Sequence, residues 1–122
     1  MPKDETRLFR QKLRSRRESF QEMEQGVHAQ NKHGVWPAEV DEALIDCEED
    51  LQLAWRPKGA SDGGMDLWYV LAPTWAGRLL YIMGRMGGDG QFRLITARCP
   101  YEKPNDRKWI DLYRQMRPDA ES

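Results

Sequence analysis

Apolar positions along this chain follow two different periods. Phe9, Leu13, Phe20, Met23 and Val27 recur at helical spacing, with Arg16 interrupting the row. That spacing predicts a long amphipathic helix over residues 4–30. Gly34 is a helix stop, and Pro37 opens a second helix because its fixed φ suits a first helical turn. Val40, Ala43, Leu44 and Cys47 then fall at i, i+3, i+4 and i+7, while Glu39, Asp41 and Glu42 occupy the first turns, where the helix dipole favours acids. From residue 51 the pattern becomes strand-like. "LQLAWR" (51–56), "DLWYVLA" (66–72), "RLLYIMGRM" (78–86) and "QFRLITAR" (91–98) read as strands. "PKGASDGG" (57–64) is loop chemistry, "PTWAG" joins the two central strands, and "GGDG" (87–90) is a hairpin turn that tolerates positive φ. Trp109, Leu112, Tyr113 and Met116 restore the helical period in a last helix that Pro118 closes.

Consecutive strands with short connections imply an antiparallel meander. The expected fold is α+β: a three- to four-stranded sheet with the N-terminal helices and the C-terminal helix on one face. The expected organisation is a basic helical arm over 1–30, a single domain over 31–118 and a disordered tail over 119–122. In the last strand, Phe92, Leu94, Thr96 and Arg98 share one side of the alternation. A guanidinium therefore ends an apolar row.

Composition changes this picture only in part. The 122 residues suit one domain, and five tryptophans argue against disorder. No apolar run approaches the roughly 18 residues a membrane span needs, and the N-terminus has no apolar signal region. The expected location is the cytoplasm. Cys47 and Cys99 are too few and too far apart for a disulfide framework or a zinc site, and read as reduced packing residues. His28, His33 and Cys47 do not make a metal site, because the five-residue histidine spacing does not favour one helix face. No cofactor or metal is expected. The net charge of −1 conceals three blocks. Residues 1–17 hold seven Lys/Arg against two acids, residues 38–66 nine acids against two bases, and residues 77–117 nine bases against four acids. A basic surface favours nucleic acid and an acidic segment repels it.

Two stretches resemble a known family. "NKHGVWPAEVDEAL" (31–44) is similar to the opening signature of BrnT-type toxins, a Lys-His-Gly-Val turn followed by a short acidic helix. "GRLLYIMGRMGGDGQFRLITAR" (77–98) is similar to that family's central hairpin, which ends in Ala-Arg. The resemblance covers roughly residues 28–100. It implies a RelE-like fold and a small, bacterial, cytoplasmic ribonuclease, the toxin of a type II toxin–antitoxin pair. The implied partners are RNA and a cognate antitoxin, usually a small ribbon-helix-helix DNA-binding protein. The chain departs from the family in its long basic N-terminal helix and in the "CPYEKPND" that follows Arg98.

Metal-independent RNA cleavage needs a base at the 2′-OH, an acid at the leaving oxygen and cations on the phosphate. The candidate catalytic residues are His33, Arg85, Arg98 and Tyr113, with Lys32 and Arg78 as RNA phosphate ligands. Histidine titrates near neutrality, and the planar fork of arginine matches phosphate oxygens. Each residue also has a structural alternative. His33 caps a helix end, Tyr113 packs in the core, Arg78 and Arg85 are solvated, and Arg98 pairs with an acid from residues 39–50. The second functional expectation is a non-catalytic module on the same fold that binds a partner protein through the basic arm or the acidic helix. The N-terminal helix is also a candidate for oligomer formation.

Overall fold

The computed structural model describes residues 2–13, 34–57, 61–62, 65–88 and 90–121. In chain order the elements are α1 (Thr6–Lys12), α2 (Pro37–Asp41, continued by a π-helical turn over Glu42–Asp46), β1 (Leu53–Trp55), β2 (Ser61–Asp62), β3 (Met65–Pro73), β4 (Leu79–Met86), β5 (Phe92–Arg98) and α3 (Arg107–Met116). Short 3-10 turns occupy Glu49–Leu51, Pro104–Asp106 and Pro118–Glu121. The strands form an antiparallel sheet in the order β1-β3-β4-β5, with β2 also pairing with β3. The α+β class and the meander follow the expectation from sequence. No helix among the described residues is long and apolar enough to cross a membrane.

The layering differs from the expected one. Register places Ala54, Val70, Ile82 and Ala97 in one cross-strand row and Leu53, Leu71, Tyr81 and Arg98 in the next, on the opposite face. The first face meets α1 and α2 through Phe9, Leu13, Val40, Ala43 and Leu44. The ring of Phe9 lies 5.1 Å from Trp68 and 5.7 Å from Phe92. The second face meets α3 through Ile110 and Tyr113, with Trp109, Leu112 and Met116 partly buried there. Helices therefore cover both faces, not one. The reason lies in β3 and β4, whose central residues are apolar at odd and even positions alike. A strand buried on both sides reads as an apolar run, not as an alternation.

Two domain boundaries also move. The N-terminal helix is no added arm, since Phe9 is fully buried in the core. It stops at Lys12, and Leu13 turns to extended backbone with its side chain buried. The expected 4–30 helix is thus cut short, and its remainder, together with Lys32 and His33, lies outside the described residues. At the other end Pro118–Glu121 forms a 3-10 turn where a disordered tail was expected.

Gln52 joins the helical covers to the edge of the sheet. Its buried side-chain amide donates to the carbonyls of Ala43 (3.1 Å) and Leu44 (2.9 Å), which the π-helical turn exposes. Its Oε1 accepts from Arg10 Nη1 at 2.9 Å, and the same Arg10 nitrogen reaches the Cys47 carbonyl at 2.8 Å. The Gln52 backbone carbonyl accepts from the Thr6 hydroxyl at 3.2 Å and from Arg117 Nη2 at 3.0 Å. A single residue therefore ties together α1, α2, β1 and the segment after α3.

Two substitutions test this packing. Gln52→Leu preserves bulk but strands the Ala43 and Leu44 carbonyls and Arg10, so the unfolding free energy is expected to fall by roughly 2–3 kcal/mol. A urea titration would show an earlier midpoint. Gly84 lies beneath Phe92, and a Cβ there would enter the Phe92 ring and come 2.6 Å from the Arg93 carbonyl oxygen. Gly84→Ala is expected to cost on the order of 2 kcal/mol in the same titration, because backbone cannot yield as a flexible side chain can.

Candidate functional site

The odd position of Arg98 is resolved by a bulge. Met83 pairs with Thr96 and the next residue, Gly84, pairs with Leu94, so Ile95 has no residue opposite it. An extra residue in one strand reverses the alternation beyond it. Phe92 and Leu94 stay on the α1/α2 face. Thr96 and Arg98 pass to the α3 face, in rows with Met83 and Tyr81. The expectation that all four share a face is thereby corrected, and Arg98 does not end the Phe92–Leu94 row.

On its own face Arg98 has a carboxylate partner, though not one from residues 39–50. Its Nη2 donates to Asp106 Oδ1 at 3.0 Å, and its Nε lies 2.9 Å from Asp106 Oδ2. Asp106 is buried at the end of the 3-10 turn that leads into α3. The guanidinium carbon of Arg98 also sits 5.1 Å from the centre of the Tyr81 ring, and Tyr81 stacks on Trp109 at 4.8 Å. Arg98 thus clamps the start of α3 to the sheet through one ion pair and one aromatic stack. Burial pushes the Tyr81 phenol above its ordinary range, so it stays protonated.

The acidic helix pairs instead with Arg78, one residue before β4. Its Nη1 reaches Glu39 Oε1 at 3.0 Å and Oε2 at 3.2 Å, and the Gly34 carbonyl at 3.2 Å. Its Nη2 reaches Glu102 Oε1 at 3.1 Å. Arg78 so holds the turn before α2 and the loop after β5 against the end of the sheet. Tyr113 is buried among the α3-face residues, and its hydroxyl donates to the Leu51 carbonyl at 2.6 Å. The sheet order puts that contact at the β1 edge, whereas Arg98 stands on β5 at the other edge.

Arg85 takes yet another place. It lies in the row Leu67–Arg85–Arg93, at the hairpin end of the α3 face. Four residues of β4 separate it from the Tyr81–Arg98 row, or about 13 Å along the strand. Arg85 and Leu67 are half-buried and Arg93 is exposed. The neighbouring row holds Trp55, Tyr69 and Met83, with Trp109 lying against Trp55 and Tyr69 at 5.8 and 5.9 Å. Lys108 Nζ sits 4.8 Å from the Trp109 ring centre.

The structure therefore brings Arg85 and Arg98 onto one face, well apart, and sends Arg78 to the α2 side and Tyr113 to the far edge. Lys32 and His33 lie outside the described residues. Two residues that sequence reasoning passed over matter here. Asp106 follows Pro104, whose turn signal was visible but whose fold-back onto β5 was not. Arg93 alternates with Phe92 and Leu94 and so was legible as an outward-facing cation. Trp55 is buried on the α3 face, and Trp75 is exposed between β3 and β4. Both cysteines are buried free thiols, and burial pushes the Cys47 thiol up to about 11, against the opposing charge of Arg10, so it is no nucleophile at neutral pH.

The clamp has a measurable consequence. Arg98→Ala leaves the Asp106 carboxylate buried without its cation, and is expected to cost roughly 1.5–3 kcal/mol in thermal or urea unfolding. Arg98→Ala combined with Asp106→Asn should recover part of that loss, as residues in direct contact are not additive. No family model, curated protein or solved structure matches this chain.

Proposed function

We propose that this chain is a BrnT-like toxin of a bacterial type II toxin–antitoxin system, a metal-independent ribonuclease on a RelE-like form of the α+β meander. In this reading the RNA backbone crosses the hairpin end of the α3 face. The observation that supports it is the direct opposition of Arg85 and Arg93 in one cross-strand row. Like charges facing each other across a strand pair are destabilising. The planar donors of the exposed Arg93, with Arg85 beside it, match phosphate oxygens. Tyr69 and Trp109, half-buried beside the row, offer faces on which bases stack. Lys32 and His33 directly precede Gly34, whose carbonyl Arg78 holds at the opposite end of β4, so this reading assigns them no part at the Arg85–Arg93 row; a cognate antitoxin neutralises the activity. Arg98, Arg78 and Tyr113 act in this reading as positioning residues, since each is held by a partner within the chain.

A second reading, a non-catalytic module that binds a partner protein, draws support from the two arginine contacts among these. Cations engaged with carboxylates are costly to hand over to phosphate.

Induced expression separates the two readings. The ribonuclease reading expects growth arrest, and expects purified protein to degrade a transcript without added metal. Arg93→Ala should weaken RNA binding while leaving the melting temperature nearly unchanged, and should lower the slope of log affinity against log salt by about 0.7. Normal growth together with intact RNA at micromolar protein would leave the binding-module reading in place.

A further inference from the structure

We infer that the end of the sheet opposite the hairpin is a docking surface for a Lys/Arg-rich segment of another protein. This surface stands on its own observations and does not depend on whether the chain cleaves RNA. Four large hydrophobic residues are exposed among those described: Trp36 (61%), Trp75 (76%), Tyr101 (50%) and Ile95 (43%). Ile95 is accounted for by the bulge. The other three come from distant parts of the chain, namely the start of α2, the β3–β4 turn and the loop after β5. They are gathered at one end of the molecule.

What gathers them is a single polar network centred on Arg78. Arg78 binds Glu39, and the same Glu39 oxygen accepts the Trp36 backbone N–H at 3.1 Å. Arg78 binds Glu102, the residue after Tyr101. Glu42 of α2 accepts the Trp75 backbone N–H at 2.9 Å, which fixes the β3–β4 turn against the helix. The Thr74–Arg78 turn is closed by two further bonds, Thr74 N–H to the Arg78 carbonyl at 2.9 Å and Gly77 N–H to the Thr74 carbonyl at 2.9 Å. The aromatic side chains thus project into solvent from backbones held on several sides. Large apolar groups presented in this way mark interaction sites.

Charge selects the occupant. Glu39, Glu42 and Glu102 carry the negative charge beside the two tryptophans, against Arg78 at their centre, while Arg107 and Arg114 line a cleft with Tyr101. Arg78 is shared between two of these carboxylates, so the end of the molecule remains anionic around its tryptophans. Nucleic acid is repelled by such a field. A cationic side chain is attracted to the carboxylates and to the face of an exposed indole at once, and its aliphatic stem covers apolar area. Tryptophan and tyrosine are the residues through which protein interfaces concentrate their affinity. A Lys/Arg-bearing segment with interspersed apolar residues meets all three conditions.

The test titrates the full chain into a short fluorescein-labelled peptide rich in Arg and Leu, followed by anisotropy. The acidic counterpart, with Glu in place of Arg, and an oligouridylate of similar length serve as comparison probes. Saturable binding of the basic peptide is expected, weakening as salt rises. Trp75→Ser and Trp36→Ser should each weaken it by about tenfold or more, while the melting temperature stays within a few degrees, because neither indole is buried. Equal binding by wild type and the Trp36→Ser/Trp75→Ser double variant overturns the proposal. So does failure of wild type to bind the peptide, or equal affinity for the acidic peptide. Concentration-dependent dimerisation of wild type that Trp75→Ser abolishes overturns it too, since the surface would then belong to a second copy of this chain. Oligouridylate binding reports on the RNA reading separately, and Trp75→Ser should leave it unchanged.

Discussion

A buried glutamine has four hydrogen-bonding valences that water cannot serve, and Gln52 shows how much of a small fold one such demand organises. Its amide must meet the carbonyls that a π-helical turn leaves open, and its oxygen must meet Arg10. Each bond fixes one cover of the first sheet face against β1. Its backbone carbonyl then receives Thr6 and Arg117, while Leu51 beside it receives the Tyr113 hydroxyl. Both layers of helix are therefore anchored to one short stretch at the sheet edge. Burial makes these bonds obligatory, because a polar group left unmade inside the protein costs its full desolvation.

The second organising constraint is the extra residue in β5. Without it, Arg98 would face the α1 and α2 side of the sheet, away from Asp106 and Tyr81. With it, Arg98 meets Asp106 and Tyr81, and the last helix is held at its start as firmly as Gln52 and Leu51 hold its end. The bulge also leaves Ile95 exposed. A one-residue insertion thus decides which face an arginine serves, and with it whether that arginine is a candidate ligand or a clamp.

The two ends of the sheet have opposite chemistry. At the hairpin end Arg85 and Arg93 face one another beyond the aromatic cover of α3. At the other end Arg78 is absorbed by Glu39 and Glu102, and exposed tryptophans stand among acids. The two ends are separated by the length of the central strands, so neither field cancels the other.

The sequence by itself determined the class, four of the five strands and most of their limits, while β2 lies in what reads as a loop. Strands of seven to nine residues with turn residues between them have few other ways to pair, and local chemistry at Gly34, Pro37, Gly90 and Pro118 marks the breaks. The apolar runs in β3 and β4 carried the signal for two covered faces. The candidate site was less legible. Arg85 and Arg93 were readable as outward-facing cations, because they precede the bulge and keep the period of their strands. Arg98 was not, because strand alternation holds only while every residue has an opposite, and nothing in "LITA" marks which residue is extra. Its true partner Asp106 lies in a loop whose fold-back depends on α3 finding the second face. Likewise Trp36, Trp75 and Tyr101 are unrelated in sequence, and only the shared carboxylates around Arg78 make them one surface. Local propensity settles elements, but which side chains meet is decided by register and by long-range ion pairs, and those exist only once the sheet has closed against its helices.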